Sequence, residues 1–360
     1  MKQMGGTGGC LTRRAMGRLA LTAAFAGGQP RREARGATRD LTISGYAGPF
    51  ERAFQACVID PFLQGRPDVR IEYRPVMNSA QSLALLSLAR TQPDIDIAIM
   101  DISVSILATR QALLAPLDIG QVPTLNDIPA WGRPAGCNGV AFTRDNLVLV
   151  HNTDIMGTKP PTSWMDLGRP ELADQVCMPI EDTRGVVLLP LLDRCVGADY
   201  RVTIDPALVL LRRFAPNVAN WNAQPDIYTL VLAQTVAMGV GWNARTQMMR
   251  ARKAGPIDAV VPSEGSVSQI NTLNVARGTP HMELACAFVS HALSAAVQQR
   301  FAQAAFYGPS NAGVVLDPAL DARISGGPDV AARELYPDWT FISRNYNNWV
   351  RRIQREVISG

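Results

Sequence analysis

The sequence predicts an α/β fold in which mostly parallel strands form a sheet covered by helices on both faces. Segments with apolar residues at strand spacing alternate with segments at helical spacing along most of the chain, as in repeated strand–helix units. Residues 97–100 form an unbroken apolar run, which is typical of a strand buried on both faces. The chain has 360 residues, of which 47% are hydrophobic, so it is long enough for about two domains.

The first third of the chain supplies three strand–helix pairs. Strands are predicted where short apolar or β-branched runs end in Gly or polar residues, namely 41–46, 69–76 and 96–100. Helices are predicted where apolar residues recur at intervals of three and four, as from Phe50 to Phe54, namely 50–63, 79–91 and 103–114. The third strand ends at Asp101.

The rest of the chain continues the alternation. Residues 139–142 and 147–150 are predicted to be extended and to cross the middle of the protein, and residues 160–164 form a loop before a helix start. Further strands are predicted at 174–180, 236–242 and 258–261. Further helices are predicted at 186–195, 206–214, 227–234, 245–253, 283–293 and 295–304.

The formal net charge of +4 belongs to an N-terminal leader. Residues 1–26 carry four basic side chains and no acid, whereas residues 27–360 have equal numbers of each sign. A basic stretch that includes Arg13-Arg14 is followed by a short apolar run and by Ala24-Phe25-Ala26, a small-x-small cleavage pattern. We therefore predict a twin-arginine-like export signal over 1–26 and a flexible N-terminus over 27–39, with the mature chain in the periplasm.

The cysteines give no disulfide framework. Five remain after the predicted cleavage, an odd number without a CxxC motif, and we expect them to be buried apolar residues. They are Cys57, Cys137, Cys177, Cys195 and Cys286. An oxidising compartment would permit a bridge, and Cys177–Cys195 is the pair to test first.

Signals for catalysis, metals and nucleic acid are weak. The sequence has no GxSxG or Walker A motif, and its three histidines, His151, His281 and His291, lack metal-binding spacing. Gly239-Val240-Gly241-Trp242-Asn243-Ala244 matches GxGxxA, but the bulky Trp242 opposes pyrophosphate binding. The neutral body lacks the basic patch of a nucleic-acid-binding protein. We expect no enzymatic activity, no catalytic residue, no cofactor, no metal and no nucleic-acid partner.

Several ordered motifs carry a family resemblance. Residues 150–154 with Pro161-Thr162-Ser163-Trp164-Met165-Asp166-Leu167, residues 240–245, residues 261–265, Tyr307-Gly308-Pro309-Ser310-Asn311 and Leu335-Tyr336-Pro337-Asp338 occur in this order. Together they resemble the periplasmic substrate-binding proteins of ABC importers, in particular the spermidine/putrescine-binding group and its iron-binding relatives. The likeness covers nearly all of residues 40–360.

The resemblance implies a type II periplasmic binding protein fold with two lobes of mostly parallel sheet and a two-strand hinge. Lobe one would comprise 40–144 plus 272–313, and lobe two 145–271 plus 314–360. The lobes would close over a small-molecule ligand, and permease subunits in the inner membrane would recognise the closed form. We expect the protein to act as a monomer.

Candidate ligand-binding residues lie where predicted strands end, because open α/β sheets bind ligands beyond the carboxyl ends of their strands. Trp242 is expected to stack on the ligand, Arg184 to clamp an anionic group and Asp101 to hold an amine. The candidates are Tyr46, Asp101 and Ser103 from lobe one, Asp182, Thr183, Arg184 and Trp242 from lobe two, and Arg144, Asn271 and Tyr307 near the hinge.

The ligand class is less constrained. The acids that the resemblance implies for polyamine binding fall at Gly185 and Asn271, and an implied aromatic falls at Gln269. Two arginines, Arg144 and Arg184, would favour a carboxylate or an amino-acid-like solute. No adjacent tyrosine pair supports iron binding. A polyamine binder of the same family, a secreted enzyme on a two-lobed scaffold and a sensory binding module are the alternatives.

Overall fold

A computed structural model describes residues 39–325 and 332–360. The predicted export signal over 1–26 and residues 27–38 lie outside the described residues. Arg39, placed in the flexible N-terminus by the sequence, is instead the first residue of a strand. Among the described residues, no helix combines the length and apolar character needed to cross a bilayer.

Strands and helices follow the predicted alternation. The strands are β1 Arg39–Tyr46, β2 Val69–Val76, β3 Ile97–Asp101, β4 Val140–Asn152, β5 Val176–Cys177, β6 Val218–Asn220, β7 Met238–Trp242, β8 Ile257–Val260, β9 Ser268–Val275 and β10 Gly308–Pro309. The helices are α1 Pro49–Phe54, α2 Asp60–Leu63, α3 Ser79–Leu88, α4 Ile102–Arg110, α5 Thr153–Met156, α6 Thr183–Cys195, α7 Asp205–Phe214, α8 Ile227–Leu232, α9 Asn243–Ala251, α10 Met282–Ala292, α11 Ala295–Ala305, α12 Pro318–Ser325 and α13 Trp339–Ile353. A π-helical turn, Gln55–Ile59, joins α1 to α2, and another, Gln354–Ile358, follows α13.

The strands of the described residues form one sheet in the order β2-β1-β3-β9-β4-β7-β5-β6, with β8 and β10 also paired to β4. Strand β1 is parallel to β2 and β3, and β5 is parallel to β6 and β7. Strand β9 is antiparallel to β3 and β4, and β4 is antiparallel to β7. The sheet is therefore parallel toward both ends and antiparallel at its centre.

The long strand β4 and its partner β9 form that centre. The two extended segments predicted over 139–150 are one strand of 13 residues. Strand β9 was not predicted because polar residues alternate along it, yet all eight of its residues are buried. Their side chains find partners inside the sheet: Thr272 Oγ1 donates to the Met100 carbonyl and Asn274 Nδ2 to the Ala98 carbonyl, each at 2.8 Å.

Several other elements also differ from the sequence-based prediction, among them β5 and α13. The strand predicted over 174–180 shrinks to β5, because Pro179 has no N–H to extend the ladder. Helix α13 was not predicted, although its buried residues recur at helical spacing, for example Ile342, Trp349 and Ile353.

Two large clusters of buried apolar side chains lie on either side of the β4–β9 centre. The first draws mainly on residues 41–142 and 273–306, and the second mainly on residues 147–240 and 342–357. Helix α9 contributes Ala244 and Met248 to the first cluster, although it follows β7, whose Met238 and Val240 belong to the second.

The five described cysteines are free thiols. Cys177 and Cys195 belong to different apolar clusters, since Cys177 packs with Ile227 and Val231, whereas Cys195 packs at the end of α6 on the second cluster. Burial raises the pKa of Cys177 to about 12 and that of Cys195 to about 11, so both thiols are unreactive near neutral pH.

Candidate ligand-binding site

The carboxyl ends of β1 and β3 bring Tyr46 and Asp101 together. The Tyr46 hydroxyl donates to Asp101 Oδ1 at 2.7 Å and lies 2.9 Å from Ser79 Oγ. Ser79 Oγ also accepts the Asp101 backbone N–H at 2.8 Å. Burial is the largest cause of a raised pKa at Asp101, and the hydroxyl donors oppose it.

The N-terminus of α6 supplies Asp182, Thr183 and Arg184. Asp182 is the N-cap and accepts the Arg184 backbone N–H at 2.8 Å. The Arg184 guanidinium grips the same carboxylate, with Nη2 2.7 Å from Oδ2 and Nε 3.1 Å from Oδ1. The proposed anion clamp is thus already occupied by an acid of this chain. A side chain at residue 185 is excluded, because a Cβ on Gly185 would lie 2.0 Å from the Ile180 carbonyl oxygen.

One hydrogen bond joins these two groups of residues. Thr183 Oγ1 donates to Asp101 Oδ2 at 2.7 Å and lies 3.2 Å from the Tyr346 hydroxyl of α13. Asp101 therefore accepts hydroxyl donors on both of its oxygens, from β1 and from α6. These contacts connect elements that pack on the two different apolar clusters.

The central strands add a buried acid, Asp145, that sequence analysis missed. It lies on β4 opposite Gln269 of β9 and is 6% exposed. Its Oδ1 accepts the Ala244 backbone N–H, in the first turn of α9, at 2.9 Å. Gln269 Oε1 is buried and has no hydrogen-bond partner in the described part of the chain. Two buried acceptors thus stand side by side without a cation.

Burial raises the pKa of Asp145 well above its ordinary value, against two backbone N–H donors that lower it. The pKa of the Tyr307 phenol is also raised well above its usual range. Burial is the largest cause, and the nearby Asp145 carboxylate is the next. Tyr228, Arg245 and Asp101 also act on Tyr307. These effects indicate that the Asp101 and Asp145 carboxylates both lie near the Tyr307 phenol.

The aromatic candidates Tyr307 and Trp242 make contacts close to these residues. Tyr307 packs edge-on against Phe50 with ring centroids 5.5 Å apart. The Trp242 backbone N–H donates to the Tyr228 hydroxyl at 2.8 Å, and the partly buried Trp242 side chain packs against the second apolar cluster. Asn271 Nδ2 donates to Thr143 Oγ1 at 3.1 Å, on the strand pair that carries Gln269 and Asp145.

Arg144 lies elsewhere than the sequence predicts. Side chains alternate along a strand, so Arg144 points to the face of β4 opposite Asp145 and pairs across the strands with Ile270. Its guanidinium lies 3.6 Å from Glu334 and over the Trp131 ring. The structure therefore does not bring Arg144 and Arg184 into one cleft. Ser103 is buried in the first turn of α4, and its hydroxyl has no hydrogen-bond partner among residues 39–325 and 332–360.

We define the cleft cluster as Tyr46, Asp101, Asp145, Asp182, Thr183, Arg184, Tyr228, Gln269 and Tyr307. Of its three acids, Asp182 alone forms a salt bridge within the described residues. No group of three or more His, Cys, Asp and Glu side chains there is arranged to hold a metal ion. The cluster can bind cationic groups through its acids and phenols.

Comparison with known proteins establishes the family. The sequence profile of the bacterial extracellular solute-binding proteins matches residues 58–325, most of the chain. The chain belongs to this family.

Curated relatives in the solute-binding family bear polyamine names. The chain is 28% identical over 231 residues to "Spermidine/putrescine-binding periplasmic protein 1" of Haemophilus influenzae, a match that covers 61% of this chain and 62% of that protein. It is 30% identical over 193 residues to the "Spermidine/putrescine-binding periplasmic protein" of Escherichia coli, covering 52% and 51%. The chain thus matches between about half and two thirds of the length of these relatives.

Solved structures agree on the fold. A crystal structure of an ABC transporter protein from Clostridium perfringens superposes with a TM-score of 0.71 at 23% identity, covering 88% of this chain and 99% of that one. The resemblance inferred from the sequence motifs and the type II binding-protein fold are confirmed by these matches.

Three of the motifs that carried the resemblance have structural contacts, namely residues 161–167, 240–245 and 261–265. Ser163 donates to Glu264 through a short hydrogen bond, and Trp164 Nε1 donates to the Gly265 carbonyl at 2.9 Å, so two motifs fix each other. The glycines of the GxGxxA match lie within β7, where a Cβ on Gly239 would stand 2.0 Å from the Cys177 carbonyl oxygen. They allow close packing of strands and form no phosphate-binding turn.

Sequence reasoning missed Ser79, Asp145, Tyr228 and Tyr346. One signal was available: Arg144-Asp145 places two charged residues within a mostly apolar, buried strand, and charges in such a strand need a reason. Tyr346 was missed with α13.

Proposed function

We propose that this chain is the periplasmic solute-binding component of an ABC importer and that its solute is a small molecule with two ammonium groups. The family match and the curated relatives support the transport role. The ligand class is our inference from the charges of the cleft cluster.

The observation that carries the ligand class is the imbalance of buried charge. Asp101 and Asp145 are acids without a cationic partner among the described residues, and the Gln269 carbonyl oxygen beside Asp145 lacks a donor. An ammonium group supplies both a positive charge and hydrogen-bond donors, and buried carboxylates need both. Tyr46, Tyr228 and Tyr307 add phenol oxygens and ring faces suited to alkylammonium groups.

Asp145 can replace the acids that the resemblance implies for polyamine binding but that this chain lacks. Acids are absent at Gly185 and Asn271, and the first position has no space for a side chain. Asp145 supplies a carboxylate two residues along the same face of the strand pair from Asn271. We infer that the second acid has a different position in the chain and the same function.

In this account two lobes, each built on one apolar cluster, close about β4 and β9 over the solute. The Thr183–Asp101 hydrogen bond would join the two lobes in the closed form. The monomeric chain would then dock on inner-membrane permease subunits, catalysing no reaction and contacting no nucleic acid. An importer role predicts that deletion of the gene abolishes uptake of the solute by cells.

Three probes with similar backbones test the ligand class. Putrescine has two ammonium groups, 4-aminobutyrate has one ammonium and one carboxylate, and succinate has two carboxylates. Titration calorimetry on refolded, ligand-free protein is expected to rank the affinities in that order, with spermidine also binding. Binding of succinate in preference to putrescine would overturn the ligand class, and tightest binding of 4-aminobutyrate would favour an amino-acid-like solute.

A further inference from the structure

A cavity lies on the face of the central strands opposite the cleft cluster. It has a volume of about 310 Å³ and is bounded by Arg144 of β4, Ile270 of β9, the loop around Trp131 and the segment that leads into α13. Because Arg144 and Asp145 are neighbours on one strand, the cavity and the cleft cluster lie on opposite faces of β4. Its volume is at the lower end of the range for small-molecule pockets.

The walls of this cavity are largely apolar. Ile270 belongs to a small apolar cluster against which Trp131 and Trp339 pack. Tyr336 adds a third aromatic ring, and 68% of its surface is exposed to solvent. Aromatic side chains on several sides favour a planar aromatic group, which they contact through ring faces and edges.

The charged groups of the cavity differ in how far they are satisfied. Glu334 accepts the Tyr336 hydroxyl at 3.0 Å, and Asp338 caps α13 by accepting the Phe341 backbone N–H at 2.9 Å. The Arg144 guanidinium donates no hydrogen bond within the described residues, and its salt bridge with Glu334, through Nη1, is 3.6 Å long. The guanidinium therefore has N–H donors to spare, and a guanidinium binds carboxylates in bidentate fashion.

We propose that this cavity is a second ligand site, which binds a small aromatic carboxylate with its ring between Trp131 and Trp339 and its carboxylate on Arg144. The site is independent of the proposed function, because none of its lining residues belongs to the cleft cluster. A ligand there would contact both central strands and the start of α13.

Phenylacetate, phenylacetamide and phenethylamine test this site, since they share a phenyl ring on a short side chain and end in a negative, a neutral and a positive group, respectively. Binding is followed by tryptophan fluorescence and calorimetry on the full chain. Phenylacetate is expected to bind about tenfold or more tightly than the other two, as for a charge-assisted pair. Arg144→Gln should lose this preference, and Thr340→Trp, which fills the cavity from its rim, should abolish binding.

Cleft variants separate the two sites. Asp145→Asn should leave phenylacetate binding unchanged, and excess putrescine should not displace phenylacetate. Absence of phenylacetate binding to folded protein, equal binding of all three compounds, or binding that survives both Arg144→Gln and Thr340→Trp would overturn the second site. If either Arg144→Gln or Thr340→Trp does not fold, the other variant and the comparison of phenylacetate with phenylacetamide still test the site.

Discussion

Replacing Asp145 with Asn should weaken solute binding and stabilise the ligand-free protein at the same time. Asp145 is 6% exposed and accepts only backbone N–H groups, at 2.9 Å from Ala244 in the described structure. Asparagine keeps an oxygen for the Ala244 N–H, so the change removes charge while preserving the cap on α9. The two effects share one cause, a buried carboxylate that lacks its cation.

The burial of Asp145 sets the expected size of the changes in putrescine affinity and in folding stability. Removing one partner of a buried charge pair costs about 2–5 kcal/mol, so putrescine affinity should fall about 30-fold or more. Without ligand, loss of the buried charge should stabilise the fold by about 1–3 kcal/mol. For a chain of this size each 1 kcal/mol corresponds to roughly 1–2 °C in Tm.

The raised pKa of Asp145 determines whether folding stability rises or falls with pH. Burial holds the pKa of Asp145 well above normal, so the folded carboxyl keeps its proton at pH values where the unfolded chain, with a pKa near 3.9, has lost it. The folded state then binds more protons, and the stability of wild type falls as pH rises above about 4. The advantage of Asp145→Asn should therefore grow with pH.

Urea unfolding at several pH values and calorimetry with putrescine measure both effects. Asp174→Asn is a matched control, because Asp174 is exposed and its backbone has a φ of 55°, which Asn tolerates. If Asp145→Asn loses stability at neutral pH and retains putrescine affinity, Asp145 is a structural cap and the reasoning is refuted.

Three further predictions test other residues. Arg184→Gln frees Asp182 from its ion pair and should tighten putrescine binding several-fold by calorimetry, whereas exposed Arg213→Gln should have no effect; weaker binding would place Arg184 on the ligand. Thr183→Val removes the donor to Asp101 and should weaken putrescine binding about tenfold, and small-angle scattering should show more of an open form; unchanged affinity would show that this contact does not aid closure. Burial raises the pKa of Asp193 to about 6, so this carboxyl should contribute up to about 3 kcal/mol to a fall in stability as pH rises from about 4 to 6, and Asp193→Asn should make that fall smaller by this amount in urea unfolding. A stability of Asp193→Asn that tracks wild type across this range would contradict that assignment.

The sequence was most informative where local pattern determines structure. Apolar periodicity located β2 at its observed bounds and most helices within a few residues, because one buried face repeats along each element. Strand β9 escaped prediction because buried polar side chains such as Thr272 and Asn274 donate hydrogen bonds to the neighbouring strand β3. Long-range hydrogen bonds of this kind leave no local pattern.

In the candidate site, too, residues marked by a local pattern were predicted, and residues that depend on long-range contacts were not. Asp101 and Thr183 were named from strand and helix ends and lie within 2.7 Å of each other in the structure. Arg144 was misplaced because the face of a strand depends on register, which a sequence of buried residues does not define. The pairing of Arg184 with Asp182 depends on side-chain rotamers at the helix N-terminus, and Asp145 gains importance only through its neighbour Gln269.

The most direct test of the central claim is mass spectrometry of the small molecule released from natively expressed, co-purified protein. The charge imbalance at Asp101 and Asp145 predicts a solute with two basic nitrogens, which Asp145→Asn protein should no longer retain. A bound solute without any basic nitrogen, retained equally by wild type and Asp145→Asn, would contradict the account.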